Sequence, residues 1–196
     1  MKMPQLQITL IQQHWLEGSS PEQDPCSHGK INLVIGGESI TSGDEDYGVS
    51  ESALALLRTL NQNHSIQEPV AERLIFHGCG TMLMMGCPIG IDFEVRHEHG
   101  HVRIGNAVRY DGTSNTDVVK FPGVAVELSE EEYRREVTAF ATEAMKLFAG
   151  APKTFSDEFD RQRYEQVWKE YNLLLSGCEI AAEQALAADS VELGGF

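Results

Sequence analysis

The sequence predicts an α+β fold: a mostly antiparallel sheet with two longer C-terminal helices packed on one face. Three observations lead there. The first two thirds of the chain carry apolar residues at a spacing of two, the mark of half-buried strands. The last third carries them at helical spacing, and strands do not alternate regularly with helices as a doubly wound sheet requires.

The elements follow in order. Leu6, Ile8 and Leu10 alternate with Gln5, Gln7 and Thr9, so residues 5 to 15 read as a first strand. Residues 17–29, with Gly18, Pro21, Pro25 and Gly29, read as an exposed loop. Residues 30–35 (KINLVI) are rich in branched side chains and form a second strand ending at Gly36-Gly37. After the acidic loop Asp44-Glu45-Asp46, Ser50 is placed to cap a short helix over 51–60, with Val49 and Leu54 as its hydrophobic staple. Pro69 separates that helix from a compact strand over 73–77.

Ile91, Phe93 and Val95, then Val102, Ile104 and Val108, form a hairpin. A two-residue turn at His99-Gly100 sets Val95 against Ile104, His97 against Val102 and Glu98 against His101. Phe121-Pro122-Gly123 reads as a turn before a short strand over 124–128. Ser129 and Glu132 match a capping box, opening a helix whose buried stripe is Tyr133, Val137, Phe140, Ala144 and Leu147 and which Gly150 and Pro152 stop. A second helix spans about 156–176 with Tyr164, Val167, Tyr171, Leu174 and Cys178 on one side, followed by a short helix and a frayed tail after about 187. No repeat emerges, and residues 1–196 read as one domain.

Composition narrows the function classes. Thirty acidic against fifteen basic residues give a formal charge of −15, spread over both halves. That field repels phosphate backbones and anionic lipids, so no nucleic-acid or membrane partner is expected; a basic protein would be drawn in. No apolar run approaches the roughly 20 residues of a membrane helix, and the N-terminus lacks the basic start and apolar block of a secretory signal, so the expected location is cytoplasmic. Cys26, Cys79, Cys87 and Cys178 form no CxxC pair and are expected as reduced thiols.

The candidate residues are few. Imidazoles at His97, His99 and His101 do not converge in the hairpin register, so no metal is expected there. His77-Gly78-Cys79-Gly80 sets a thiol between two glycines with a histidine nearby, the weak candidate for nucleophilic chemistry; packing is the plainer role. Gly78, Gly80, Gly86 and Gly90 fit neither phosphate-loop pattern, and no cofactor is expected. Met82, Met84 and Met85 suit core filling. No GxSxG, HExxH or DxDxDG pattern occurs.

Two readings remain. One is a binding protein acting through an acidic surface, with Asp44, Glu45 and Asp46 and the strand face of Asp92 and Glu94 as contacts. In size and charge, though in no motif, the chain is similar to the small acidic immunity proteins that block toxins in bacterial competition. The other is a small enzyme or ligand-binding domain with a site around His77 and Cys79.

Overall fold

Two antiparallel sheets and three helices enclose one continuous apolar cluster in this computed structural model, which describes residues 4–66, 72–77, 87–112 and 117–192, with side chains through residue 177. The first sheet holds β1 (Leu6–His14), β2 (His28–Ile35), β3 (Glu38–Ser39) and β4 (Tyr47–Gly48); β2 is central, with β1 on one side and the two short strands on the other. Helix α1 (Val49–Arg58) follows. The second sheet runs in the order β5 (Ile75–Phe76), β6 (Gly90–Glu98), β7 (His101–Tyr110), β8 (Val118–Ser129), and α2 (Glu130–Met145) and α3 (Glu158–Glu192) close the chain.

The α+β class and the antiparallel pairing are as the sequence predicts. The hairpin register is also the expected one, with Val95 opposite Ile104, His97 opposite Val102 and Glu98 opposite His101. His99 adopts φ 50° and Gly100 φ 80°, the left-handed pair that a two-residue turn demands. The capping box is present: Glu132 N donates to Ser129 Oγ at 3.2 Å and Ser129 N to the Glu132 carboxylate at 3.0 Å.

Several expectations are corrected. Ser50 does not cap α1; the helix starts two residues earlier, at Val49 with Gly48 at its N-cap, and the Ser50 hydroxyl accepts from Ser27 N at 3.0 Å. The loop over 17–29 is not exposed throughout. Asp24, Cys26 and Ser27 are buried because the Asp24 carboxylate accepts from the amides of Leu16 (2.6 Å) and Cys26 (3.1 Å), and β2 already begins at His28. Phe121-Pro122-Gly123 lies inside β8. Ala107 pairs with Phe121 and Gly105 with Ala125, so Pro122 sits in a register irregularity of an edge strand, where its missing N–H costs no ladder bond. Finally, α3 continues through Gly177 to Glu192 without a break, since one glycine in an interior costs only about 1 kcal/mol and good helix formers surround it.

The two C-terminal helices form layers. Val137, Phe140, Ala141 and Ala144 of α2 are buried where the helix meets α1, β1 and the β7–β8 hairpin, while Leu147 is only half-buried. The third helix lies on α1 and α2: Val167 and Tyr171 are buried, and Tyr171 donates its hydroxyl to Ala141 O at 2.7 Å. Arg58 grips Glu170 with two bonds of 2.7 and 2.8 Å. The linker between α2 and α3 is clasped to the first loop: Lys153 Nζ stands 3.4 Å from the centre of the Trp15 ring and donates to Pro21 O, and Thr154 N donates to Glu22 O at 2.8 Å. No helix among the described residues is long and apolar enough to cross a membrane.

Candidate functional site

At one end of the first sheet, strand pairing gathers imidazoles and carboxylates from separate stretches of sequence. His14 ends β1 and His28 begins β2, and as direct cross-strand partners their ring centres stand 6.4 Å apart. His28 also pairs with Gly48 of β4, which brings in the end of the acidic loop: Asp46 Oδ2 lies 3.5 Å from His14 Nε2. From below, Asp24 Oδ2 lies 3.7 Å from His28 Nε2. His77, just past β5, is held by its amide on Ile89 O at 3.1 Å and lies near enough to His28 to oppose its protonation.

The cluster has a rim and a floor. Side-chain exposure is 36% for His14 and 42% for Asp46, against 3% for His28 and 2% for Asp24. Burial holds His28 below the ordinary imidazole range; Asp24 pulls the other way, and His77 and His14 add to the lowering. The pairs are too long for hydrogen bonds, and His14 Nδ1, His28 Nε2 and Asp46 Oδ1 are buried without a hydrogen-bond partner among the described residues. Beside the floor, burial pushes the Cys26 thiol well above its ordinary value, and Glu51 and Asp24 push it further. The site thus offers unmatched polar atoms to a polar group, and Cys26 is not a ready nucleophile. Among the described residues no group of three His, Cys, Asp or Glu is arranged to hold a metal ion.

The residues singled out in the sequence fall differently. Asp44 is exposed and makes no ion pair among the described residues; Glu45 is half-exposed and accepts from the Ser42 hydroxyl; Asp46 joins the histidines. So one end of the acidic loop and His77, separate candidates in the sequence, meet at His28. Cys79, Gly78, Gly80, Gly86, Met82, Met84 and Met85 lie outside the described residues.

Asp92 does not face a partner. It has no exposed surface, because the segment before β5 and the turn after α1 cover it; its Oδ1 lies 2.6 Å from His64 Nε2 and accepts from the amides of Leu74 (3.3 Å) and Phe93 (3.1 Å). Glu94 pairs with Arg96 at 3.3 Å and lines an open hollow of about 440 Å³ together with Arg103 and Glu127, a surface of mixed charge. Of the expected acidic strand face, Asp92 is corrected to a buried structural carboxylate, and Glu94 remains partly exposed with a cation beside it. His97 donates Nε2–H to Thr59 O at 2.7 Å, while His101 is exposed near His99 O, so the three hairpin imidazoles go separate ways.

His14, His28, Asp24 and His64 were not singled out in the sequence. The signal for the first two was available: antiparallel neighbours joined by a loop bring the end of one strand to the start of the next. Starting the second strand at Lys30 hid it. No family model, curated protein or solved structure matches the chain.

Proposed function

We propose that the chain is an acidic binding protein that acts through a protein–protein surface, with Asp44, Glu45 and Asp46 at the centre of its contact face and a basic protein, such as a toxin that it neutralises, as its partner. The observation that carries this reading is a loop whose carboxylates lack any Lys or Arg ion pair among the described residues, on a chain of charge −15. Asp44 is the exposed member of the three, and exposed charges of one sign steer a partner of opposite sign and mainly raise the association rate.

The test uses the triple variant Asp44→Asn, Glu45→Gln, Asp46→Asn beside the wild type. Both are immobilised, exposed to lysate of the native cell, and the captured basic protein is purified for kinetics at 0.1 M and 1 M salt. The expected result is an association rate lower by about tenfold for the variant at 0.1 M salt, with a flattened salt dependence and an unchanged melting temperature. Equal on-rates and equal salt slopes would sink the reading.

A second reading, a ligand-binding or enzymatic site, has the convergence of His77 with His14, His28, Asp24 and Asp46 in its favour. Imidazole resonances followed by NMR against a library of small polar compounds test it: saturable shifts confined to these histidines favour it, and none at millimolar ligand removes it.

A further inference from the structure

The acidic loop and the histidine cluster meet at Asp46, and the polar atoms left unmatched there describe the group that complements them. Asp24, on the floor, is already committed, since its two oxygens accept from the amides of Leu16 and Cys26. Asp46 is not. Its Oδ1 is buried without a hydrogen-bond partner among the described residues, and its Oδ2 stands 3.5 Å from His14 Nε2. His28 is the second unmatched group: its side chain is 3% exposed, and its Nε2 has no hydrogen-bond partner, the Asp24 carboxylate being 3.7 Å away. His14 Nδ1 is the third.

These atoms ask for hydrogen-bond donors. An ionised carboxylate only accepts, so Asp46 Oδ1 needs a donor. Burial favours neutral His28, and a neutral imidazole offers one nitrogen lone pair, here at Nε2. With its Nε2–H turned to Asp46 Oδ2, His14 keeps the lone pair of Nδ1 in the same way. Three acceptors beside two carboxylates suit a cation with several N–H groups, and among the described residues no Lys or Arg forms an ion pair with Asp46. A guanidinium carries five donors in a planar fork and is more weakly hydrated than an ammonium, so it enters a half-buried site at lower cost.

We propose that Asp46, His14 and His28 together receive an arginine side chain of the basic partner, with Asp46 as its anchor. This rests on the acidic-surface reading and names the residue chemistry that the surface recognises. Entry is from the rim, where the side chains of His14 and Asp46 are 36% and 42% exposed, and a change of rotamer, common at interfaces, turns their unmatched atoms outward. The loop then divides its labour. Asp44, exposed, steers the encounter; Asp46 holds the complex, because a partly desolvated charge pair acts on the dissociation rate.

NMR on the full chain tests this with N-acetyl-arginine amide and its uncharged isostere, N-acetyl-citrulline amide. The arginine probe should give saturable shifts at His14, His28 and Asp46 with half-saturation at about millimolar concentration, and the citrulline probe should bind about tenfold more weakly or worse. Asp46→Asn should weaken the arginine probe about tenfold, while Asp44→Asn leaves it within about twofold. With the captured basic protein, Asp46→Asn should shorten the lifetime of the complex about tenfold, and Asp44→Asn should alter chiefly the association rate. The proposal is overturned by the absence of saturable shifts at about 50 mM arginine probe, by equal binding of the two probes, or by equal losses in the two variants. Equal melting temperatures of the variants and the wild type show that neither loss is one of fold. The probe needs no partner, so the two readings fail separately: a slowed triple variant without probe binding overturns the arginine anchor alone, and probe binding beside an unslowed triple variant overturns the acidic-surface reading and with it the partner.

Discussion

His28 and Asp46 stand in one cluster, yet water reaches only one of them, and that difference decides what each does. Buried His28 is held neutral, so the folded chain binds a proton there less readily than the unfolded chain. As pH falls below the ordinary imidazole value of about 6.5, the unfolded state takes up protons first; the stability present above that value is lost on going down. His28→Gln should therefore flatten the fall in unfolding free energy between pH 7.5 and 5.5, measured by urea titration of both proteins. An unchanged slope would place the pH sensitivity elsewhere. The same contrast limits what single residues reveal in a sequence: Asp92 and Asp46 are the same side chain beside apolar strand residues, and only the covering of β6 by distant segments buries the first. The exposure of Asp44 was legible because its loop has no apolar period.

At the scale of elements, legibility follows locality. The Ser129–Glu132 box and the His99-Gly100 turn are each determined by residues within a few positions, and both were readable. Pro122 inside β8 and the run of α3 through Gly177 were not, because pairing with β7 and the long helical context outweigh local breaker chemistry. The α2 stripe belongs to the readable class. Phe140 is 2% exposed within the apolar cluster, and Phe140→Ala should cost about 3–5 kcal/mol by urea denaturation, as deletions of buried rings do. Leu147→Ala, at the half-buried end of the stripe, should cost less than half as much. Equal losses would mean that α2 is seated differently.

Across the whole molecule, apolar periodicity told which faces are inward and left open which inward faces meet. Two sheets share the core, and α3 rests on helices, because burial is satisfied equally by sheet or helix. The histidine cluster was hidden for the same reason: it is built from four segments that only the assembled fold brings side by side. One long-range feature carries a kinetic consequence. Lys153 and Pro21 are 132 positions apart, so their clasp, with Lys153 over Trp15, closes a loop that takes in most of the 196-residue chain. Closing such a loop is entropically costly until the layers between are in place, so the clasp belongs after the folding transition state. Lys153→Ala should then speed unfolding while leaving the refolding rate within about twofold, in stopped-flow fluorescence with Trp168→Phe leaving Trp15 as sole reporter. The clasp acts as a latch on the lifetime of the native state: it sets how long the chain stays folded, and the speed of folding is decided before it engages.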